Sequence, residues 1–454
     1  MSVDELGLAL EAAAPFRIEP VGAQERAVLT DSAGKPLVPP ELSVRVLELD
    51  DDDLAAISAA AWRGGRVLQR DGLVLHSLGC AARIALPAGL GAPGAAERAT
   101  ALLRAVAAPH RVAPSAVVAL AAFPFHPAAA GELVIPALSL LKRDGEDPQV
   151  VAIGSQFEAS APEARLSAAR APERQAPELP ERFELISARS HAQFCREVER
   201  ALRAIEAGRF DKVVLARSVL VRANRPFPQA DLLQRLRALH PSCCTFAIDG
   251  FLGASPELLC RRRGASVESE PLAGTIARSG DPQADARLAA ALLSSDKDRR
   301  EHGVVVDAIC AALAPFTTAV ERPERPAVLE LRNVAHLATL LRARLRDGAA
   351  RASALELCAA IHPTPAVCGA PRAPALSYLE AHEGLVRNRY AGPVGYLDGA
   401  GDGEFWLGIR SAEVCGGHAR LCAGVGIVEG SDPRAELAET QLKLQALLAV
   451  AVRP

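Results

Sequence analysis

Between Gly392 and Val428 the chain repeats one pattern three times, an extended apolar run followed by a turn rich in Gly and Asp. The runs are Gly392–Asp398, Glu404–Val414 and Ala419–Val428. Strands joined by such short turns must pair antiparallel, because a parallel pair needs a crossover of a dozen or more residues. In Glu404-Phe405-Trp406-Leu407-Gly408-Ile409-Arg410, alternation puts Phe405, Leu407 and Ile409 on one face and Trp406, Gly408 and Arg410 on the other. The segment therefore reads as a three-stranded antiparallel meander, and whatever encloses it must supply a core to one of its faces. Aromatics make up only 4% of the chain, so that core is built mostly from Leu, Val, Ala and Ile.

Further elements are predicted on both sides. Val44–Leu47, Val67–Gln69 and Pro136–Leu141 read as strands. The stretch Glu158–Arg182, rich in Ala, Pro, Glu and Arg, reads as an exposed loop. Helices are expected over His191–Ala207 and Asp231–His240, followed by a strand over Cys243–Phe251. The spacing of Val304, Val305, Ala308, Ile309 and Ala312 predicts the apolar stripe of a helix over Asp296–Leu313. A last helix starts at Ser431-Asp432-Pro433, with Asp432 as N-cap and Pro433 in the first turn. Strands outnumber helices in the C-terminal half and both occur throughout. The expected class is α+β, with large, mostly antiparallel sheets flanked by helices. Residues 1–185 form an N-terminal part, with the Pro/Ala-rich loop near 158–182, and residues 186–454 form the motif-bearing region.

Composition excludes several functions. With 454 residues and a formal charge of −3, the chain has no basic footprint for nucleic acid or for a membrane surface. The ten cysteines are scattered, with no CxxC and no Cys/His cluster at zinc spacing. The start, Met1–Glu5, is acidic rather than basic, unlike a signal peptide. The longest uncharged stretch, Val112–Gly131, is broken by Pro114, Pro124 and Pro127. These features point to a soluble cytoplasmic protein.

Four features carry possible chemistry. Asp211-Lys212-Val213-Val214-Leu215-Ala216-Arg217 reads as a strand with Lys212, Val214 and Ala216 on one face. A lysine there either reaches back to water or, if turned inward, is neutralised, paired or used as a base. Glu257, in Ala254-Ser255-Pro256-Glu257-Leu258-Leu259, follows a turn; it is either a helix-start carboxylate or an acid in need of a partner base. Asp298 and Glu301 share one helix face, and Glu436, Glu439 and Lys443 share another. Two such carboxylate faces are either solvated or suited to a hard, oxygen-loving cation such as Mg²⁺. Gly424-Val425-Gly426 either makes a turn or lets backbone amides approach an anion.

Ten ordered segments from Ser187 onward resemble the chorismate-utilising enzymes, a family that includes anthranilate synthase component I, isochorismate synthase and salicylate synthase. They are Lys212–Arg217, Gly253–Leu259, Pro271–Thr275, Glu301-His302, Asn333–Leu337, His362–Gly369, Tyr390–Gly395, Ile409–Ser411, Ala423–Ile427 and Glu436–Lys443. The resemblance implies a single large domain like that of anthranilate synthase component I. Within the family, a lysine at the Lys212 position goes with water as nucleophile. Ala273 stands where aminodeoxychorismate synthases carry a lysine, and His362–Gly369 is similar to the isochorismate synthases.

The resemblance therefore implies a Mg²⁺-dependent isochorismate synthase acting as a monomer. Water adds at C2 of chorismate with Lys212 as base, and the C4 hydroxyl leaves with Glu257 as acid. Glu301 and Glu439 would hold Mg²⁺, with Asp298 and Glu436 nearby and acting through waters. Arg410 would pair with the enolpyruvyl carboxylate. Tyr390, Lys443, Ile409 and the amides near Gly424 and Gly426 would complete substrate recognition, and Gly274 and Thr275 would line the ring pocket. His336 is either a substrate contact or a core histidine. The competing readings are a salicylate synthase, which also eliminates pyruvate, and a catalytically silent chorismate-binding subunit.

Overall fold

A computed structural model describes residues 27–31, 33–155, 162–171, 177–346 and 352–452. Three sheets organise them, and every strand pairing among the described residues is antiparallel. A 12-stranded sheet and a 10-stranded sheet form the body, and a small three-stranded sheet, Leu272–Ala277, Val334–Ala338 and Ala327–Glu330, stands beside the pocket described below. The class is α+β, as expected.

Each large sheet takes strands from both the N-terminal part and the C-terminal part. In the 12-stranded sheet the junction is the pairing of Arg66–Arg70 with Cys244–Ile248. In the 10-stranded sheet it is the pairing of Val118–Ala122 with Pro393–Asp398. The strand hints near Val44, Val67 and Leu138 fall on Leu42–Leu47, Arg66–Arg70 and Leu138–Arg143. Among the described residues no helix is long and apolar enough to cross a membrane. Met1–Glu5 lies outside the described residues.

Five local expectations are corrected. The run Cys243–Phe251 is two strands, Cys244–Ile248 and Phe251–Ser255, folded into a hairpin at Asp249-Gly250. Both turn residues have positive φ, 48° and 79°, which an Asp-Gly pair tolerates. The middle run of the expected meander is also two strands, Gly403–Leu407 and Ser411–Cys415. The first pairs in the 10-stranded sheet and the second in the 12-stranded sheet, so the chain crosses between sheets at Gly408–Arg410. Arg410 takes a φ of 51° at that crossing. The helix Asp296–Leu313 has the expected bounds, but its buried stripe is His302, Val305, Val306, Ile309 and Leu313, and Val304 faces solvent. Part of the expected loop Glu158–Arg182 is a helix, Pro162–Arg170. Its Leu166 and Ala169, three apart, are buried against neighbouring structure, and Arg170 pairs with Asp53 of the helix Asp51–Gly64. Finally, Gly424 and Gly426 lie inside the long strand His418–Val428, so the turn reading of Gly424-Val425-Gly426 falls.

That strand pairs along its whole length with Lys212–Ala223. The last helix, Pro433–Val452, packs on it, with the Asp432 carboxylate accepting from the amides of Arg434 and Ala435 as an N-cap.

Candidate active site

Thirteen of the fifteen residues singled out from sequence line one pocket: Lys212, Glu257, Gly274, Thr275, Glu301, His336, Tyr390, Ile409, Arg410, Gly424, Gly426, Glu439 and Lys443. Asp298 and Glu436 stand just outside it. Asp298 packs behind Gly274, where an added Cβ would sit 3.0 Å from the Asp298 Cβ. Glu436 is buried and bonded to Ser431; burial pushes its carboxyl up, and the nearby Glu439 and Glu301 push the same way.

Lys212 and the two glycines form the floor. Val214 pairs with Gly426 and Ala216 with Gly424. Missing side chains at 424 and 426 leave the space that the charged groups use. A Cβ on Gly426 would sit 2.9 Å from both Glu301 Oε1 and Lys212 Cε, and one on Gly424 would sit 3.1 Å from the Tyr390 hydroxyl. Lys212 is 3% exposed and donates to Glu301 Oε1 at 2.7 Å. Burial pushes Glu301 up, but the charge and hydrogen bond of Lys212 outweigh it and hold Glu301 below the usual carboxylate range. Lys443 pairs with Glu439 at 2.7 Å and donates to the Gly424 carbonyl at 2.9 Å.

Glu257 sits in the short link between Phe251–Ser255 and Leu258–Arg263. No helix follows it, so the helix-start reading falls. Its carbonyl accepts from the Leu407 amide at 3.0 Å, tying the link to the strand that leads into the crossover. Burial pushes its carboxyl up to about 8, against the smaller downward pulls of the Leu272 amide, Lys212 and Lys443. A carboxyl so placed is a proton donor at neutral pH.

Arg410 is held at the crossover. Its carbonyl accepts from Ala254, and Gly253 gives it room, since a Cβ there would approach that oxygen to 2.7 Å. Arg410 Nη2 donates to His336 Nε2 at 3.3 Å, and His336 Nδ1 lies 3.2 Å from the Gly274 carbonyl. These bonds assign the proton to Nδ1. Burial, reinforced by Arg410, pushes His336 down to about 3, so it stays neutral. His336 is thus a pocket residue that aims a guanidinium, rather than an isolated core histidine. Arg410 Nη1 is buried and has no hydrogen-bond partner. An orphaned cationic donor in a cavity is a ready partner for a carboxylate.

Sequence reasoning missed further lining residues, among them Cys422, Ala366, Val367 and Arg387. Ala366 and Val367 lie in the His362–Gly369 segment, which was singled out as a block but not residue by residue. Arg387 belongs to no segment that the sequence marked.

The donor set bears on a metal. Glu301 and Glu439 present carboxylate oxygens to one pocket, and each has a lysine on it. Among the described residues no three His, Cys, Asp or Glu side chains are gathered as a metal site. Two carboxylates without sulfur or imidazole suit Mg²⁺, which keeps several waters and completes its shell with substrate oxygens.

A family model described as chorismate binding enzyme matches residues 100–452, and the chain belongs to that family. It is 46% identical over 268 residues to the salicylate biosynthesis isochorismate synthase of Pseudomonas aeruginosa, covering 58% of this chain and 55% of that protein. It is 43% identical over 262 residues to the isochorismate synthase DhbC of Bacillus subtilis, covering 55% of this chain and 65% of that one. The chain thus spans between about half and two thirds of the length of these relatives. The solved structure of MenF, the menaquinone-specific isochorismate synthase of Escherichia coli, matches with a TM-score of 0.73 at 27% identity, covering 94% of this chain and 96% of that one. Anthranilate synthase component I of Streptococcus pneumoniae matches with a TM-score of 0.60 at 20% identity and covers 96% of this chain and 93% of that one, which shows the shared fold.

Proposed function

We propose that this chain is an isochorismate synthase. The observation that carries the reading is a buried carboxyl with no cation bonded to it, Glu257, in the same pocket as a buried lysine, Lys212. Moving a hydroxyl around a ring needs an acid and a base together, because water is a weak nucleophile and hydroxide a poor leaving group. Lys212, as the neutral amine, takes a proton from the water that bonds to C2 and becomes the ammonium. The ring double bonds shift, and the C4–O bond breaks as Glu257 delivers its proton to that oxygen. One water enters and one leaves, and the proton gained by Lys212 returns to Glu257 through solvent between turnovers.

Arg410, aimed by His336, takes the enolpyruvyl carboxylate on its free Nη1. Tyr390, Ile409 and Thr275 close around the ring. Glu301 and Glu439 would hold Mg²⁺, which would anchor the ring carboxylate and take over the charge that the two lysines now offset. Asp298 and Glu436, outside the pocket, would act on the ion only through waters.

The test is a product assay on the purified chain with chorismate, with and without Mg²⁺ and ammonium. Isochorismate alone, dependent on Mg²⁺ and indifferent to ammonium, is expected. Salicylate with pyruvate would assign the chain to the pyruvate-eliminating branch. An aminated product would remove Lys212 from the role of water-activating base, and no consumption of chorismate would leave a binding subunit.

A further inference from the structure

The strand that carries Lys212 has a gap in its pairing. On one side it runs along His418–Val428 without interruption. On the other, residues 219–223 pair with Phe183–Ser187 and residues 212–213 pair with Gly369-Ala370. Among the described residues no strand pairs with residues 214–218 on that side. A buried backbone cannot leave its polar groups unpaired without cost.

Three contacts fill the gap. The Val214 amide donates to the Cys368 carbonyl at 2.8 Å. Arg387 Nη2 donates to the Val214 carbonyl at 2.6 Å. The Ala216 amide donates to Glu383 Oε1 at 2.8 Å. Arg387 and Glu383 are themselves joined by two bonds of 2.7 and 2.6 Å, with both side chains only 3% exposed. Arg387 also donates to the Val367 carbonyl at 2.8 Å, and its own carbonyl accepts from the Tyr390 amide at 3.0 Å.

A buried ion pair is a poor device for stability alone, since apolar residues of similar volume often do as well. Apolar residues could not serve here. The gap presents an unpaired amide and an unpaired carbonyl, and a zwitterionic pair supplies an acceptor and a donor at once. We infer that Glu383 and Arg387 are positioning residues that stand in for a missing strand, setting the Lys212 strand against the Tyr390 loop and the His362–Gly369 segment. The inference rests on the role of Lys212 as base. Only Val213 separates Lys212 from Val214, so a shift of that carbonyl moves the amine relative to the reacting carbon.

Arg387→Lys keeps a charge but loses the planar fork that reaches two carbonyls and a carboxylate. It should lower kcat by about 10- to 100-fold with KM changed less than about threefold, the mark of misplaced chemistry rather than lost binding. Glu383→Gln keeps an acceptor for Ala216 and should lose roughly tenfold in kcat. Amide exchange over residues 214–218 should quicken in both. A folded variant with kcat within about twofold of the parent overturns the inference, as does a rise in KM with kcat intact. If Arg387→Lys does not fold, Glu383→Gln decides by the same criteria. Lys212→Ala separates the two readings: turnover surviving in that variant would sink the base assignment, while unchanged exchange in Glu383→Gln would sink the surrogate strand.

Discussion

Two buried glutamates stand near opposite ends of one pair of neighbouring strands, and they are treated oppositely. Glu257 precedes Leu258–Arg263, and Glu404 lies in the adjacent strand Gly403–Leu407. Glu404 is gripped by Arg70 at 2.9 and 2.7 Å, by Arg261 at 2.8 Å and by the Trp406 indole at 3.1 Å. Burial pushes its carboxyl up, but the bonds and charges of Arg70 and Arg261 outweigh that and hold it below the usual carboxylate range. Glu257 is as deeply buried but has no cation bonded to it, only the more distant Lys212 and Lys443, and it rises to about 8. Burial sets the stakes for a carboxyl, and its partners decide the outcome. The charge of Glu404 is met by two arginines, whereas Glu257 is left uncompensated, as the proposed acid role requires.

The largest effects are expected at the pocket. Lys212→Ala and Glu257→Gln should each cut kcat by about 10³-fold, within the range of a lost general base or acid, while chorismate still binds. Steady-state kinetics beside a binding titration would check it, and near-normal turnover in Glu257→Gln would mean that its raised carboxyl is incidental. Glu404→Gln should do the reverse. It strands Arg70 and Arg261, so unfolding in urea should show a loss of about 3 kcal/mol with kcat unchanged in the folded fraction.

The smallest effect sharpens the contrast through pH. The Glu257 carboxyl lies at about 8 in the folded chain, above its ordinary value near 4.5, so the folded state holds a proton that the unfolded state releases between those values. Its contribution is fully present below about 4.5 and is lost as pH rises through about 8. Stability should therefore decline across that window in the parent, and Glu257→Gln should flatten the decline. An identical slope in both would show that Glu257 does not titrate there.

Much of the site was legible in the sequence because its residues lie in short segments of strong local character. Strand alternation gave Lys212 a face but left its use open, and the family resemblance brought in Gly274, which like Gly426 stands where backbone comes close to charged side chains. What escaped was information held between segments. Periodicity says which face of a strand is apolar but not which sheet it joins, so one run was read where Gly408–Arg410 divides two. The Asp249-Gly250 turn was readable and was passed over because the apolar residues around it run on. His302 sits in the buried stripe of its helix where Val304 was expected, because its ring bonds to Thr339, a partner 37 residues away. Glu383 and Arg387 were invisible for the same reason: their partners, Ala216 and Val214, lie 167 and 173 residues earlier in the chain.

The crossover at Gly408–Arg410 has one more consequence. The residue whose free guanidinium nitrogen faces the pocket is also the residue at which the chain leaves one large sheet for the other. A carboxylate bound there is fastened to the seam of the molecule. A carboxylate that binds only while the two sheets are joined there would stabilise the joined state by mass action, as a clasp on the seam.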